Sequence, residues 1–255
     1  MACCPDQARD ERALYVDDLL GPRWGLLSAA AVGAWVGRGV WRRRERRLST
    51  GREKRSDMLR LAPSADVDER ATVGDGSSVW HLAQVREHAV LGRNCIIGRG
   101  AYVGTGVRIG DNCKIQNYAL VYEPAVLEDG VFVGPAVVLT NDTFPRSVNP
   151  DGTLKSGADW HAVGVTLREG CSVGARAVCV APVMVGRWAT VAAGSVVTRD
   201  VPDFALVAGA PARRIKWVGR AGVPLEDGGG GRWRCPKTGE EFVESDGLLT
   251  EAGER

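Results

Sequence analysis

A few side chains in this 255-residue chain could handle a proton or meet a developing charge, and they stand at related spacings. The interval from Glu123 to Asn141 is half the interval from His81 to Asn117. An imidazole such as His81 or a carboxylate such as Glu123 can act as a general base. A carboxamide such as Asn141 can donate a hydrogen bond to a forming oxyanion, or simply cap a turn. Gln116 and Asn117 offer polar contacts to a ligand, or else are solvated turn residues. Arg146 presents a planar fork suited to a carboxylate or pyrophosphate, or to a loop ion pair. Arg213, Arg214 and Lys216 form a basic cluster suited to phosphates, or a solvated face. The remaining histidines, His88 and His161, are expected at the surface. A zinc site of the kind used by γ-type carbonic anhydrases needs three converging histidines. His81 and His88 hold different places in the repeat described next, and His161 follows a long polar segment, so no metal is expected.

The elements that position these residues follow a period of six. From Val67 the chain reads VDERAT, VGDGSS, VWHLAQ, VREHAV, LGRNCI, IGRGAY, VGTGVR, IGDNCK, IQNYAL, VYEPAV, LEDGVF, VGPAVV, LTNDTF. All thirteen hexads begin with Val, Leu or Ile, and all have a small or β-branched fifth residue. After a long polar stretch, the phase resumes at Leu167 with six more hexads. A period of six fits neither α-helix nor coiled coil and is the mark of a parallel β-helix. Three hexads make one triangular coil. Nineteen hexads predict about six coils, with an extruded loop at about 142–160. Glycine at the second position is expected to serve a tight turn. Residues three hexads apart then lie above one another. His81, Arg99 and Asn117 share one corner column, and Glu87, Thr105, Glu123 and Asn141 share another.

The formal net charge is +2, which gives no global reason to expect nucleic acid. The charge is uneven: residues 1–60 hold 13 Lys and Arg against 8 Asp and Glu. Residues 1–57 read as an N-terminal extension, either disordered or foreign to the natural protein. The apolar stretch 24–41, followed by the basic run 42–47, is alternatively a membrane-associated segment. A catalytic domain is expected over 58–222, and a tail with a short hairpin over 223–255. Seven cysteines without a CxxC pair suit reduced thiols and a cytoplasmic location. Cys95 and Cys113 share a column and are expected to pack as thiols; a disulfide is the alternative.

Over about 67–217, the pattern [LIV]-G-x-x-small-x resembles the left-handed β-helix acyltransferases of the hexapeptide-repeat family. Within that family, VWH (79–81), KIQN (114–117), VYE (121–123), VFVGPAVVLTN (131–141), PRS (145–147) and VPDFALVAGAPARRIKWVGRAG (201–222) resemble the nucleotide-sugar N-acetyltransferases. The most similar type acetylates the 3-amino group of UDP-2-acetamido-3-amino-2,3-dideoxy-glucuronate for bacterial surface polysaccharides. RWRCPKTGEEFVESDGLL (232–249) resembles the tail of that group, whereas VAP at 180–182 stands where those relatives carry Val-Cys-Gly.

The resemblance implies an all-β homotrimer with acetyl-CoA bound between neighbouring subunits and a UDP-amino sugar as acceptor. It implies Asn141, Glu123 and His81 at the chemistry, with Asn141 orienting the amine or thioester. Gln116, Asn117 and Arg146 would meet the sugar nucleotide, and Arg213, Arg214 and Lys216 the CoA phosphates. Many related O-acetyltransferases place a histidine near the loop to deprotonate a hydroxyl. No histidine lies between His88 and His161 here, which favours an amine acceptor. An acetyltransferase for another sugar amine or a hydroxyl, and a non-catalytic scaffold, are the competing readings.

Overall fold

The computed structural model describes residues 58–253; the apolar stretch at 24–41 lies outside them. Among the described residues no helix is long and apolar enough to cross a membrane. The alternation of one inward and one outward residue per short strand produces three flat parallel sheets, the faces of a triangular prism. Face one runs from Arg60–Leu61 through Ser78–Val79, Ile96–Ile97, Lys114–Ile115, Phe132–Val133, Ser172–Val173 and Thr190–Val191 to Ala205–Gly209. Face two runs from Asp66–Val67 through Gln84–Val85, Tyr102–Val103, Leu120–Val121, Val138–Leu139 and Val178–Cys179 to Val196–Val197. Face three runs from Thr72–Val73 through Val90–Leu91, Arg108–Ile109, Val126–Leu127 and Val165–Leu167 to Val183–Val185.

Within the uninterrupted repeat each strand pairs with the one three hexads on, as in Val103–Val121–Leu139. The backbone donors of one coil are satisfied by the next: Tyr102 N donates to Ala119 O at 2.9 Å, and Gln116 N to Val133 O at 2.8 Å. From Ser77 to Leu139 and again from Leu167 to Val197, first-position aliphatics and fifth-position small residues fill the interior together and are almost fully buried, whereas Ala65, Val67, Ala71 and Val73 of the first coil are partly buried. Each large aliphatic contributes about 1.5–3 kcal/mol by leaving water. Cys95 and Cys113 are free thiols in this stack. Their Sγ atoms donate to Gly110 O and Glu128 O, both at 3.1 Å.

The turn lies elsewhere than the sequence suggests. The fourth residue of the hexad takes the left-handed conformation: Leu82, Asn94, Asn112, Tyr118 and Ala136 have φ between 55° and 60°. The second-position glycine answers a different need. A Cβ on Gly92 would lie 2.6 Å from Gly110 C, and one on Gly134 would lie 2.7 Å from Ala175 N. Glycine is therefore required there because the next coil's backbone passes so closely. Third-position carboxylates also tie the corners: Asp111 Oδ1 accepts from Arg93 N at 2.8 Å, and Asp129 Oδ1 from Asp111 N at 2.7 Å.

Face one contains eight parallel strands, so the prism is about eight coils tall instead of six. One added strand is Arg60–Leu61, with Leu61 in register with Val79. The other gain is at the far end, where Val185 pairs with Val201 and Val191 with Val207. That coil falls short of three full hexads, and its shortened corner breaks the period that would have revealed it.

Beyond Gly209 the chain reverses, and Ala212–Trp217 pairs antiparallel with 205–209. Four more strands, Glu226–Gly229, Arg232–Arg234, Glu241–Ser245 and Leu248–Glu251, form an antiparallel sheet, more than one hairpin. Phe242 packs against Phe204 with ring centroids 5.1 Å apart, and Trp217, Leu225, Cys235 and Leu249 join the same core. The tail thus covers the apolar end of the stack, as terminal units must in a solenoid.

Candidate active site

The three-hexad coil stacks the polar residues on two corners that flank face two. The corner before face two carries His81, Arg99 and Asn117. With Trp80, Ile96, Gly98 and Gln116 they line a cleft of about 370 Å³. Asn117 Oδ1 accepts from Arg99 N at 2.8 Å, which fixes the carboxamide and leaves its NH₂ to point outward. Trp80 is held under the Arg60 guanidinium, 4.7 Å above the ring. Ser64 Oγ lies 2.8 Å from His81 Nδ1. Ser64 escaped the sequence reading because it belongs to the coil before Val67.

The corner after face two carries Glu87, Thr105, Glu123 and Asn141. Glu87 is committed to structure: Arg86 donates to both its oxygens at 2.8 and 2.9 Å, and Thr105 Oγ1 donates at 3.1 Å. The Arg86 hydrogen bonds draw its carboxyl down to about 2. Glu123 differs. Its Oε2 is buried and has no hydrogen-bond partner among the described residues, an arrangement that native proteins rarely leave unanswered. The carboxylate occupies space that only a glycine at 104 leaves open. Burial, and to a smaller extent the Glu123 charge, push the neighbouring Tyr102 hydroxyl up.

Asn141 stands one coil from Glu123, at the root of the extruded loop. Its carbonyl accepts from Val163 N at 3.2 Å, which closes the base of the loop. Next to it, Thr140 Oγ1 accepts from Ala181 N at 2.9 Å. The loop has structure of its own. Val148 and Leu154 form an antiparallel bridge, and Ser156 caps a 3-10 turn at Gly157–Asp159. Its inner side and root bound a second cleft of about 300 Å³, lined by Asp142, Thr143, Phe144, Lys155, Asp159, Trp160, His161 and Val163.

Within one chain the structure groups His81 with Gln116 and Asn117, and Glu123 with Asn141, on opposite edges of face two. Arg146 is exposed on the loop, donates to Pro145 O at 3.0 Å and lines neither cleft. Arg213, Arg214 and Lys216 lie on the strand Ala212–Trp217. Arg214 stacks 4.0 Å over Trp217 and approaches Glu244 at 3.5 Å, and Arg213 donates to Ala212 O. Arg213 and Lys216 remain the more available charges of the three. Among the described residues no group of three His, Cys, Asp or Glu side chains could hold a metal ion.

A buried core of stacked hexads with polar corners and one extruded loop defines a class. The repeat matches the bacterial transferase hexapeptide model at 70–105 and 106–141, and the hexapeptide repeat of succinyl-transferase at 164–199. Over these residues the chain is similar to the hexapeptide repeats of bacterial transferases. The solved structure of LpxA, a UDP-N-acetylglucosamine acyltransferase from Bacteroides fragilis, superposes with a TM-score of 0.51. That match is 14% identical and covers 63% of this chain and 62% of that one. The likeness is one of fold, and it makes the prism a left-handed β-helix. Serine acetyltransferase of Escherichia coli is 44% identical over 87 residues, 34% of this chain and 31% of the relative. A dTDP-3-amino-3,6-dideoxy-alpha-D-galactopyranose 3-N-acetyltransferase of Aneurinibacillus thermoaerophilus is 55% identical over 47 residues, 18% of this chain and 24% of the relative. The chain thus spans a third or less of the length of these curated relatives.

Proposed function

We propose that this protein transfers acetyl from acetyl-CoA to the amino group of a nucleotide-linked sugar. The finer reading names the 3-amino group of UDP-2-acetamido-3-amino-2,3-dideoxy-glucuronate, in the synthesis of bacterial surface polysaccharide. The observation that carries the proposal is the unpartnered, buried Glu123 Oε2 one coil from Asn141. That position suits an incoming ammonium or amine donor. The relatives' names support both halves of the reaction: both are acetyltransferases, and one acts on a sugar amine.

The reaction site is read as shared between subunits of a homotrimer. The outward row of face two begins with the polar Asp66 and Gln84 and continues through Tyr102, Leu120, Val138, Val178 and Val196, which are apolar or aromatic and partly exposed. Three copies that turn this row to a common axis bring the corner before face two of one copy against the corner after face two of the next. His81, Gln116 and Asn117 of one subunit then oppose Glu123, Asn141 and the loop of its neighbour. Arg213 and Lys216 suit the CoA phosphates, and Arg146 becomes available to a sugar carboxylate or pyrophosphate if the loop closes over the groove.

An amine in its neutral form attacks the thioester carbonyl carbon. The tetrahedral oxyanion receives a hydrogen bond from Asn141, the C–S bond breaks, and CoA leaves as thiolate. The amine's proton passes to Glu123, His81 or water. Thiol release from acetyl-CoA, measured with a panel of UDP-amino sugars and a hydroxyl-only control, tests the proposal. Turnover with the 3-amino-uronate alone fits the fine reading. Turnover only with another amine replaces the substrate, turnover with the hydroxyl control replaces the chemistry, and no turnover by a folded oligomer favours a scaffold. Asn141→Ala is expected to lower kcat tenfold or more, about 1.4 kcal/mol of transition-state stabilisation, with the oligomer intact. An unchanged kcat removes Asn141 from the mechanism.

A further inference from the structure

An imidazole serves as a base only if one ring nitrogen keeps its lone pair free and aimed at the proton it takes. His81 is an exposed corner residue, and such a side chain has no fixed direction unless something holds it. Ser64 does so. Its Oγ is 2.8 Å from Nδ1, and its position is itself determined by the backbone. Leu82 N donates to Ser64 O at 3.0 Å, which locks the Ser64 corner beneath the His81 corner. The next side chains repeat the link, with Gln84 Nε2 donating to Asp66 Oδ2 at 2.7 Å. His81 lines the cleft with Arg99, Gln116 and Asn117, but Ser64 does not. Nδ1 is therefore turned to the preceding coil, and Nε2 is the nitrogen left for the cleft.

We propose that Ser64 is the positioning residue of His81: its hydroxyl oxygen accepts the Nδ1 proton, holds the Nδ1–H tautomer and presents the Nε2 lone pair to the cleft as the proton acceptor. The inference rests on the acetyltransferase reading and selects His81 from the three acceptors that reading allows. As the amine nitrogen bonds to the acetyl carbon, its proton moves to Nε2. The C–S electrons leave with sulfur, and the imidazolium returns the proton to the CoA thiolate. No oxidant or further reactant is needed. Base, nucleophile and orienting third group is the arrangement by which weak bases and nucleophiles are activated in general.

The experiment combines a spectrum with kinetics on the full chain. The protein has only three histidines, so ¹⁵N-labelled imidazoles give a readable long-range ¹H–¹⁵N spectrum, with His81 assigned by its loss in His81→Ala. His81 is expected as the Nδ1–H tautomer in the wild type, with that preference lost in Ser64→Ala and regained in Ser64→Thr. His81→Ala should lower kcat about 100-fold, the lower end for loss of a general base. Ser64→Ala should lower it about tenfold with KM little changed, and Ser64→Thr should restore it to about twofold of wild type. The double variant should be no slower than His81→Ala alone, because residues that act as a unit are not additive. An Nε2–H tautomer in the wild type, a Ser64→Ala kcat within twofold, or additive losses in the double variant would overturn the inference. If the wild type turns over no acceptor, the acetyltransferase reading fails and the proton step with it. The spectrum alone then decides whether Ser64 orients His81.

Discussion

The two kinds of glycine in the hexad can be separated by substitution. Gly134 is a second-position residue. A Cβ there would stand 2.7 Å from Ala175 N, 2.8 Å from Val173 O and 2.9 Å from Gly174 C. All three are backbone atoms of the next coil, and none can rotate away. Relief requires the coils to part by several tenths of an ångström. That strains two hydrogen bonds of 2.8 Å, Gly134 N to Val173 O and Arg176 N to Pro135 O. Insertion of one carbon into such packing costs about 1–3 kcal/mol, and the rigid neighbours place Gly134→Ala in the upper half. For a unit of this size each kcal/mol lowers Tm by about 2–4 °C, so a fall of about 4–12 °C is expected in circular-dichroism melting.

Gly106 is the control. It has φ +66 and nothing within 4 Å of its virtual Cβ, so only the backbone conformation matters. Asn94 and Asn112 occupy the equivalent corners at φ 56 and φ 60, and asparagine tolerates that region. Gly106→Asn should shift stability by less than about 1 kcal/mol. A Gly134→Ala protein that melts with the wild type, or a Gly106→Asn protein less stable than Gly134→Ala, would refute the assignment of close approach to one position and turning to the other.

Three further outcomes follow from the same structure. Glu87 has its carboxyl lowered from 4.5 to about 2 by Arg86. This contribution to stability is complete above about 4.5 and is lost as the pH falls toward 2; Glu87→Gln should flatten the acid limb of a stability-versus-pH curve between those values. Phe242→Ala removes the ring packed on Phe204 and should cost about 3–5 kcal/mol, with faster proteolysis of the tail than of the prism. Val138→Lys places a charge in the apolar part of the outward row of face two; under the proposed trimer, size-exclusion chromatography should show the wild type as a trimer and the variant as a monomer, and an unchanged trimer in the variant would move the interface to another face.

The sequence displayed the period and the inward residues openly, because a solenoid interior accepts only aliphatic and small side chains at fixed intervals. The two polar columns followed from that period by counting, and Gln116 and Asn117 were indeed brought to the His81 cleft. Other features were hidden for physical reasons. Leu61 opens one more hexad, LAPSAD at 61–66, directly before Val67, but its polar and proline-containing residues lack the second-position glycine that marks many later hexads. The shortened coil loses the phase just where Val201 and Val207 still point inward. The tail's strands, Arg232–Arg234 among them, are short and lie beside glycines and charges, so hydrophobic alternation barely registers. Glycine at the second position looked like a turn residue because one chain shows its own dihedrals to the reader but not the neighbour that crowds it. Ser64 stands one position off the stacking interval from His81, so counting by hexads does not pair them.

The pinned base of the extruded loop has a consequence for how such a protein can be altered. Leu127 pairs with Leu167 and Leu139 with Cys179, each across far more chain than the three hexads that would serve. A whole loop therefore enters between two stacked coils and leaves the ladder above and below in register. The shortened coil near Val201 shows the opposite edit, a deletion absorbed at a corner with the pairing kept. Corners behave as editable sockets, whereas the two-residue strands do not, since a shift of one residue there would turn every inward side chain outward. A foreign binding segment grafted between Asn141 and Val163 has its entry and exit already joined by a backbone hydrogen bond. The segment between them can thus be exchanged as a cassette while the prism is left as it is.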